Sequence, residues 1–422
     1  MEEKNNTLYI DGVSTVYLAE KYGTPLYVYS VTDIKNRIAE LKEDFLNKYE
    51  NTTVSYASKA FLTKAMAKLI AEEGINLDVV SGGELFIALS ANFPAEKIEF
   101  NGNNKLYDEI DLAVKNSVGK IIIDGASELD MIIDCAKKYN KKVNVLYRVT
   151  PGIDAHTHEY ISTGKADSKF GFPLDEVLEE VKKAKNSEYI NFLGYHFHLG
   201  SQLFENDIYL NALDIVFELI EDTINKTGEN IKELNIGGGF GITYTSEKRQ
   251  PFSYFLEPVM EKIEGYFSLK NLERPTITIE PGRSIVGEAG YTLYTVGSIK
   301  DIEGIRKYVA IDGGMTDNIR PALYSAEYRA IVANNIKGDP LETVTICGKC
   351  CESGDIIIKD AQIPLTQPGD IICIPSTGAY GYSMASNYNC LLKPAIVFVE
   401  NGEDKLVLKR ETYNDLIRNE TE

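Results

Sequence analysis

The chain has 422 residues, 44% of them apolar, and a single hydrophobic core rarely grows past about 250–300 residues, so two domains are expected. With 63 acidic against 44 basic residues the net charge is −19, which disfavours nucleic acid and anionic membranes as partners. No stretch is apolar for long enough to span a membrane, the start Met1-Glu2-Glu3-Lys4-Asn5-Asn6 is too polar for a signal peptide, and six cysteines in so long a chain form no disulfide framework; a cytoplasmic protein with reduced thiols is expected.

The first thirty residues carry β-prone runs at Leu8-Tyr9-Ile10 and Leu26-Tyr27-Val28-Tyr29. They are too short for a sheet of their own and are expected to join a later one. A helix over about 31–49 follows. Strand-like runs at 53–57, 76–80, 97–101, 120–124, 143–149, 192–198, 233–236 and 276–280 then alternate with amphipathic stretches such as 63–70, 127–138, 175–185 and 208–224, whose apolar residues recur at three and four. Eight βα repeats predict a (β/α)8 TIM-type barrel over 31–282. After about Gly282 come short runs without long helices, at 291–299, 307–311, 328–334, 343–347, 355–359, 371–374, 395–399 and 404–408. The predicted fold class is therefore α/β plus all-β: the barrel, and a C-terminal antiparallel β-sandwich or Greek-key barrel over 283–422 that also takes strands from 1–30.

A barrel places its active site at the carboxyl ends of its strands. Those ends carry Lys59, Asp78 with Ser81-Gly82-Gly83-Glu84, Asn101, Asp124, Arg148, His196 and His198, Gly237-Gly238-Gly239, and Glu280 with Arg283. A lysine held at the end of a strand, its amine partly desolvated, is a nucleophile for a carbonyl cofactor. The glycine triplet can close backbone N–H groups on a phosphate, although a plain tight turn would need the same residues. His196-Phe197-His198 puts two rings on one strand face, as a metal would require, but no third ligand follows at convincing spacing, and a ring stacked on a planar cofactor suits one of them better. No metal site is expected, and Cys347-Gly348-Lys349-Cys350-Cys351 lacks the second pair a zinc site needs. A glutamate at the position of Glu280 could keep a heteroaromatic ring nitrogen protonated. Lysine, phosphate turn and glutamate together make a site for pyridoxal 5′-phosphate.

At these residues the chain resembles the fold-type III pyridoxal-phosphate-dependent decarboxylases. Tyr56-Ala57-Ser58-Lys59-Ala60, Leu77 to Glu84, His196 to Gln202, the glycine triplet and Glu280-Pro281-Gly282-Arg283 are motifs shared across that family. Five further blocks resemble the branch acting on meso-diaminopimelate: His158 to Gly164, Ser168-Lys169-Phe170-Gly171, Asp312-Gly313-Gly314-Met315 to Tyr324, Cys351-Glu352-Ser353-Gly354-Asp355, and Gly378 to Met384. One departure is Ser58, where many relatives carry valine or leucine. The resemblance implies that Lys59 holds the cofactor covalently, His198 stacks on its ring and Glu280 meets the ring nitrogen. The phosphate would lie on Ser201, Gly238, Gly239, Gly282 and Arg283, with Tyr380 beside the cofactor. Arg283, Arg320, Tyr324, Glu352 and Tyr380 would bind substrate, and Cys351 would return a proton to Cα. Planar guanidinium forks suit a distal carboxylate, and Glu352 suits a distal ammonium. The resemblance also implies decarboxylation at the D-centre of meso-2,6-diaminopimelate to L-lysine, the last step of lysine biosynthesis. The 31–282 domain would bind cofactor. The rest would supply substrate contacts and the interface of a homodimer whose sites are shared between subunits. A sister decarboxylase acting on another amino acid, or a cofactor-binding regulator without turnover, is the alternative; Arg320 argues against the first, and Lys59, Cys351 and Tyr380 against the second.

Overall fold

The structure, a computed structural model, describes residues 1–153 and 168–421. The chain divides into two units, one formed by Ile38–Gly241 with Arg249–Ser284, the other by Met1–Arg37, Ile242–Lys248 and Ile285–Glu422.

The first unit is a closed barrel of eight parallel strands in sequence order: Thr52–Ala57, Asn76–Val79, Ile98–Phe100, Lys120–Ile123, Val143–Arg148, Ile190–His196, Glu233–Asn235 and Thr276–Ile279. The last strand closes on the first, Ile279 pairing with Val54. Each helix lays an apolar stripe on the sheet. In Lys64–Glu72 that stripe is Met66, Ala67, Leu69 and Ile70, and the Thr63 hydroxyl caps the helix by accepting the Met66 N–H at 3.1 Å. The sixth strand starts two residues before the predicted run and stops at His196, with a register slip between Phe192 and Gly194. His196 is therefore the last strand residue, and His198 stands in the loop beyond. The barrel core is partly ionic. Lys120 pairs with Glu233 and with Glu99 at 3.3 Å, both glutamates being buried, as charges taken out of water require.

In the second unit, strand Gly290–Ile302 is the spine. It pairs with Leu26–Ser30, Ile371–Pro375 and Arg306–Ile311, and the sheet continues to Leu341–Cys347 and Ile356–Pro364 on one side, Ala395–Glu400 and Glu403–Leu408 on the other. In its first half, Gly290–Val296, both faces of the spine are covered, and alternation sorts its residues: Tyr291 and Leu293 enter a core with Leu26, Val28 and Val397, whereas Tyr294 and Val296 enter another with Val309, Ile346 and Ile363. The pairings are antiparallel except that Arg306–Ile311 runs parallel to Leu341–Cys347 and Leu26–Ser30 parallel to Ala395–Glu400, partners that long connections separate in the chain. Leu26–Ser30 joins this sheet as expected. Thr7–Ile10 does not: it pairs with Glu2–Lys4 and Val13–Ser14 in a separate three-stranded sheet. The run 328–334 shortens to Ile331–Val332. No helix among the described residues is long and apolar enough to cross a membrane.

Candidate active site

Lys59 stands in the single 3-10 turn Ser58–Ala60 that ends the first barrel strand. The turn is anchored by the Ser81-Gly82-Gly83-Glu84 motif. Ser81 caps helix Gly82–Ser90, accepting the Glu84 N–H at 3.2 Å, and Glu84 reaches back to accept the Val80 N–H and the Ser58 hydroxyl, both at 2.8 Å. Ser58, the departure from the family pattern, thus gains a hydrogen bond that valine could not make. From the other side the Ala57 N–H donates to the Pro281 carbonyl at 3.1 Å, and a Cβ on Gly282 would meet Ala57 at 3.0 Å. Glycine at 282 lets the lysine strand and the Glu280-Pro281-Gly282 segment touch.

Glu280 lies one residue past the last strand, buried. Its Oε1 accepts Asn235 Nδ2 at 2.7 Å and Asn101 Nδ2 at 3.1 Å, and its Oε2 accepts His196 Nε2 at 3.0 Å. Burial alone would raise this carboxyl; the hydrogen bond from His196 and the charge of Lys59 outweigh it and hold Glu280 ionised, below the ordinary carboxylate range. Desolvation lowers the basicity of His196, so the neutral ring donates from Nε2, and its Nδ1 is a buried acceptor without a hydrogen-bond partner. Asp78 takes the opposite course. Linked to Glu280 by Asn101, which donates to its Oδ1 at 2.8 Å, it is pushed well up by burial and then by the Glu280 charge, and it keeps its proton. Two neighbouring buried carboxyls have thus been split into one anion and one acid.

His198 is partly exposed, yet desolvation, with the charges of Lys59 and Arg148, holds its ring neutral. Its Nδ1 accepts the Gly238 N–H at 3.2 Å. The glycine triplet is a turn that only glycine can build: Gly237 and Gly239 have φ of +71° and +120°, and a Cβ on Gly238 would lie 2.1 Å from the Glu280 carbonyl oxygen. The Gly237 N–H goes to Asn235 Oδ1 at 2.9 Å, so the first two amides of the triplet are committed within the protein. Arg283, buried, donates from Nε to the Ser201 hydroxyl at 3.0 Å. Below Arg148, Phe170 lies 4.3 Å from the guanidinium, and Gly171 donates its N–H to Asp124 at 2.8 Å. The block His158 to Gly164 lies outside the described residues.

In the second unit Arg320 is buried at the start of helix Arg320–Tyr324, its Nε donating to the Tyr328 hydroxyl at 2.9 Å. The guanidinium lies 5.5 Å from the ring of Tyr244, 5.4 Å from Tyr324 and 5.9 Å from Tyr380. Tyr380 holds φ at +61°, a costly conformation for a tyrosine. Cys351 and Glu352 are exposed, and the Cys351 N–H donates to Asn389 Oδ1 at 2.6 Å. Asp355 ties two sequence blocks together by accepting the N–H groups of Met315 at 2.7 Å and Cys350 at 2.8 Å. Gly314 and Gly348 make room for it, since a Cβ on either would fall within 2.4 Å of its carboxylate.

The family described as pyridoxal-dependent decarboxylase, pyridoxal binding domain, matches residues 32–287. Diaminopimelate decarboxylase of Bacillus subtilis (strain 168) is 48% identical over 421 residues, covering 99% of this chain and 96% of that protein, and that of Bacillus methanolicus is 50% identical over 407 residues, covering 96% and 94%. The chain belongs to the diaminopimelate decarboxylases. Their fold is kept as well: the crystal structure of diaminopimelate decarboxylase from M. jannaschii in co-complex with L-lysine superposes with a TM-score of 0.93 at 36% identity, covering 100% of this chain and 98% of that one.

Membership makes pyridoxal phosphate the cofactor, and the residues present fit it. Glu280 has three donors for about four lone-pair positions, leaving room for one more N–H. The neighbouring cluster offers buried oxygen and nitrogen atoms without partners, Asp78 Oδ2 and His196 Nδ1, next to a glycine turn free of side chains. In each unit the structure adds residues for which the sequence suggested no role: Asn235 and Asn101 hold Glu280, and Tyr244 and Tyr328 box Arg320. Asn101 stands among the strand-end candidates without a role, and Asn235 could have been suspected in the same way, as an inward-facing polar residue at a strand end. Tyr244 and Tyr328 carry no such signal, being 76 and 8 residues from Arg320 in an aromatic-rich chain.

Proposed function

We propose that Lys59 and Glu280, on neighbouring closing strands of the barrel, are the two poles of the cofactor site of an enzyme that decarboxylates meso-2,6-diaminopimelate at its D-centre to L-lysine and CO2. The observation carrying this is the buried, ionised Glu280 within the electrostatic reach of Lys59, beside a glycine turn. When bound, pyridoxal phosphate supplies the sink for the electron pair that decarboxylation leaves at Cα. The protein does the rest. Lys59 would hold the cofactor covalently through its amine, the group the substrate amine would replace. Glu280 would favour a protonated ring nitrogen, neutral His198 would pack against the ring, and Ser201, Gly239, Gly282 and Arg283 would hold the phosphate at the turn that Gly238 shapes, with Tyr380 nearby. Arg320, Tyr324 and Arg283 bind carboxylate, Glu352 binds the distal ammonium, and Cys351 returns the proton to Cα. In this reading residues 31–282 are the cofactor domain, residues 1–30 and 283–422 supply substrate and interface contacts, and the enzyme works in the cytoplasm. Incubation with meso-diaminopimelate and chiral chromatography should yield L-lysine and one CO2 per turnover; D-lysine, or no CO2, overturns the reading.

The proposed assembly is a two-fold homodimer in which the exposed Cys351 of one protomer serves Lys59 of its partner. An isologous interface then gives each dimer two composite sites. Mixing Lys59→Ala and Cys351→Ala chains should restore one intact site in each hybrid, up to roughly a quarter of wild-type activity at random pairing. Verified hybrids with no more activity than the parents would refute sharing.

A further inference from the structure

We propose that Asn235 is a positioning residue that sets the spacing between the two ends of the cofactor site, the ring anchor Glu280 and the glycine turn that begins at Gly237. The inference rests on the reading of Glu280 as the ring anchor. Asn235 ends the seventh barrel strand and is fully buried. Its Nδ2 donates to Glu280 Oε1 at 2.7 Å and, at 3.4 Å, to Glu99 Oε2, while its Oδ1 accepts the Gly237 N–H at 2.9 Å. The orientation of this amide is dictated by its neighbours. Glu280 is ionised and can only accept, and the Gly237 N–H can only donate, so nitrogen must face the carboxylate and oxygen the turn.

One planar group of fixed length therefore spans the two features that would grip opposite ends of the cofactor. Backbone contacts close the same frame. The Glu280 N–H donates to the Gly237 carbonyl at 2.8 Å, and the space where a Gly238 Cβ would lie is taken by the Glu280 carbonyl oxygen. Below, Glu99 continues the chain of contacts to Lys120, 3.3 Å away, which also pairs with Glu233. The clamp is thus founded on the ionic core of the barrel. A displaced Glu280 would shift the anion opposite the ring nitrogen, and a displaced Gly237 would shift the phosphate turn. Asn235 couples the two without being placed to touch the reacting atoms.

Aspartate at 235 separates the two functions of the amide. Its carboxyl can still accept the Gly237 N–H, and when protonated it can still donate to Glu280; once ionised it repels Glu280 and Glu99. The full-length protein, stripped of cofactor and titrated with pyridoxal 5′-phosphate at pH 6.5 and 8.5, provides the test. Tyrosine fluorescence reports binding, and the absorption spectrum reports the bound cofactor. Relative to wild type at the same pH, Asn235→Ala should raise the dissociation constant at least tenfold at both values. Asn235→Asp should raise it less than threefold at pH 6.5 and at least tenfold at pH 8.5, a pH dependence that mere space-filling would not produce. Should Asn235→Ala fail to fold, the Asn235→Asp pair of measurements decides alone. Wild-type affinity for Asn235→Asp at both pH values, or a loss equal at both, overturns the proposal. Glu280→Gln is the control: if it leaves both affinity and spectrum unchanged, the reading of Glu280 fails, whereas a weakened Glu280→Gln beside unaffected Asn235 variants sinks only the present inference.

Discussion

Around Glu280 the protein surrounds an anion with two amide donors and an imidazole N–H, each within 3.1 Å, while around Arg320 it surrounds a cation with three tyrosine rings and one phenol. Among the described residues no carboxylate pairs with Arg320. Both groups are about equally buried, at 5% and 6% exposure, so the difference lies in what is left for a ligand. Glu280 is braced by neutral dipoles that keep its charge in place. Arg320 is held by ring faces that tolerate the cation yet cannot neutralise it, so its guanidinium keeps its demand for an anion. A rigidly braced anion with one acceptor position left open suits a resident cofactor, and an under-neutralised cation suits a substrate that comes and goes.

The sharpest way to break this comparison is to remove a pole of the barrel cluster. Lys59→Ala should abolish CO2 release while cofactor still binds noncovalently, and borohydride, which fixes cofactor to Lys59 in the wild type, should fix none; near-native turnover by the variant would refute the assignment. In the other cluster, Arg320→Ala leaves a substrate carboxylate unpaired and should cost about 2–5 kcal/mol in kcat/KM with cofactor affinity intact. Unchanged steady-state kinetics for Arg320→Met would remove this residue from the site.

A pH experiment sharpens the contrast from within the second unit. Asp317 is buried there, and burial pushes it up to about 7 despite hydrogen bonds from Tyr294, Thr316 and Gly314. Between the ordinary aspartate value and about 7 the folded chain holds a proton that the unfolded chain has released. Stability should therefore fall as pH rises through that window, by on the order of 4 kcal/mol. Asp317→Asn should flatten this slope in denaturant melts between pH 4 and 8; a wild-type slope in the variant would show that other groups control it. The smallest effect should come from Tyr328→Phe, which keeps the ring and deletes the acceptor for Arg320 Nε. About 1 kcal/mol of kcat/KM should be lost, expressed in KM rather than kcat, and an equal drop in kcat would mean that Tyr328 does more than hold Arg320.

Much of this was legible in the chain because it is written in local patterns. The eight barrel strands follow from runs of apolar β-formers between amphipathic helices, and Lys59, Glu280 and the glycine triplet stand out because a strand end is a special place in any barrel. The roles of Asn235 and Tyr328 were not legible. Nothing about an asparagine before a glycine turn says that its nitrogen will find a carboxylate 45 residues away, and nothing local distinguishes Tyr328 from the other 25 tyrosines.

The amino-acid sequence by itself determined the fold class, the order of the elements and the residue types able to do the chemistry, since periodicity and turn propensity act over a few residues. Tertiary structure alone decided protonation and partnership. Glu280 is an anion and Asp78 an acid only because closure of the barrel buries both beside Asn101 and leaves His196 and Lys59 nearest to one of them. Thr7–Ile10 left the main sheet for its own hairpin-like sheet because strand pairing is settled by which edges packing leaves open, and local propensity carries no information about that.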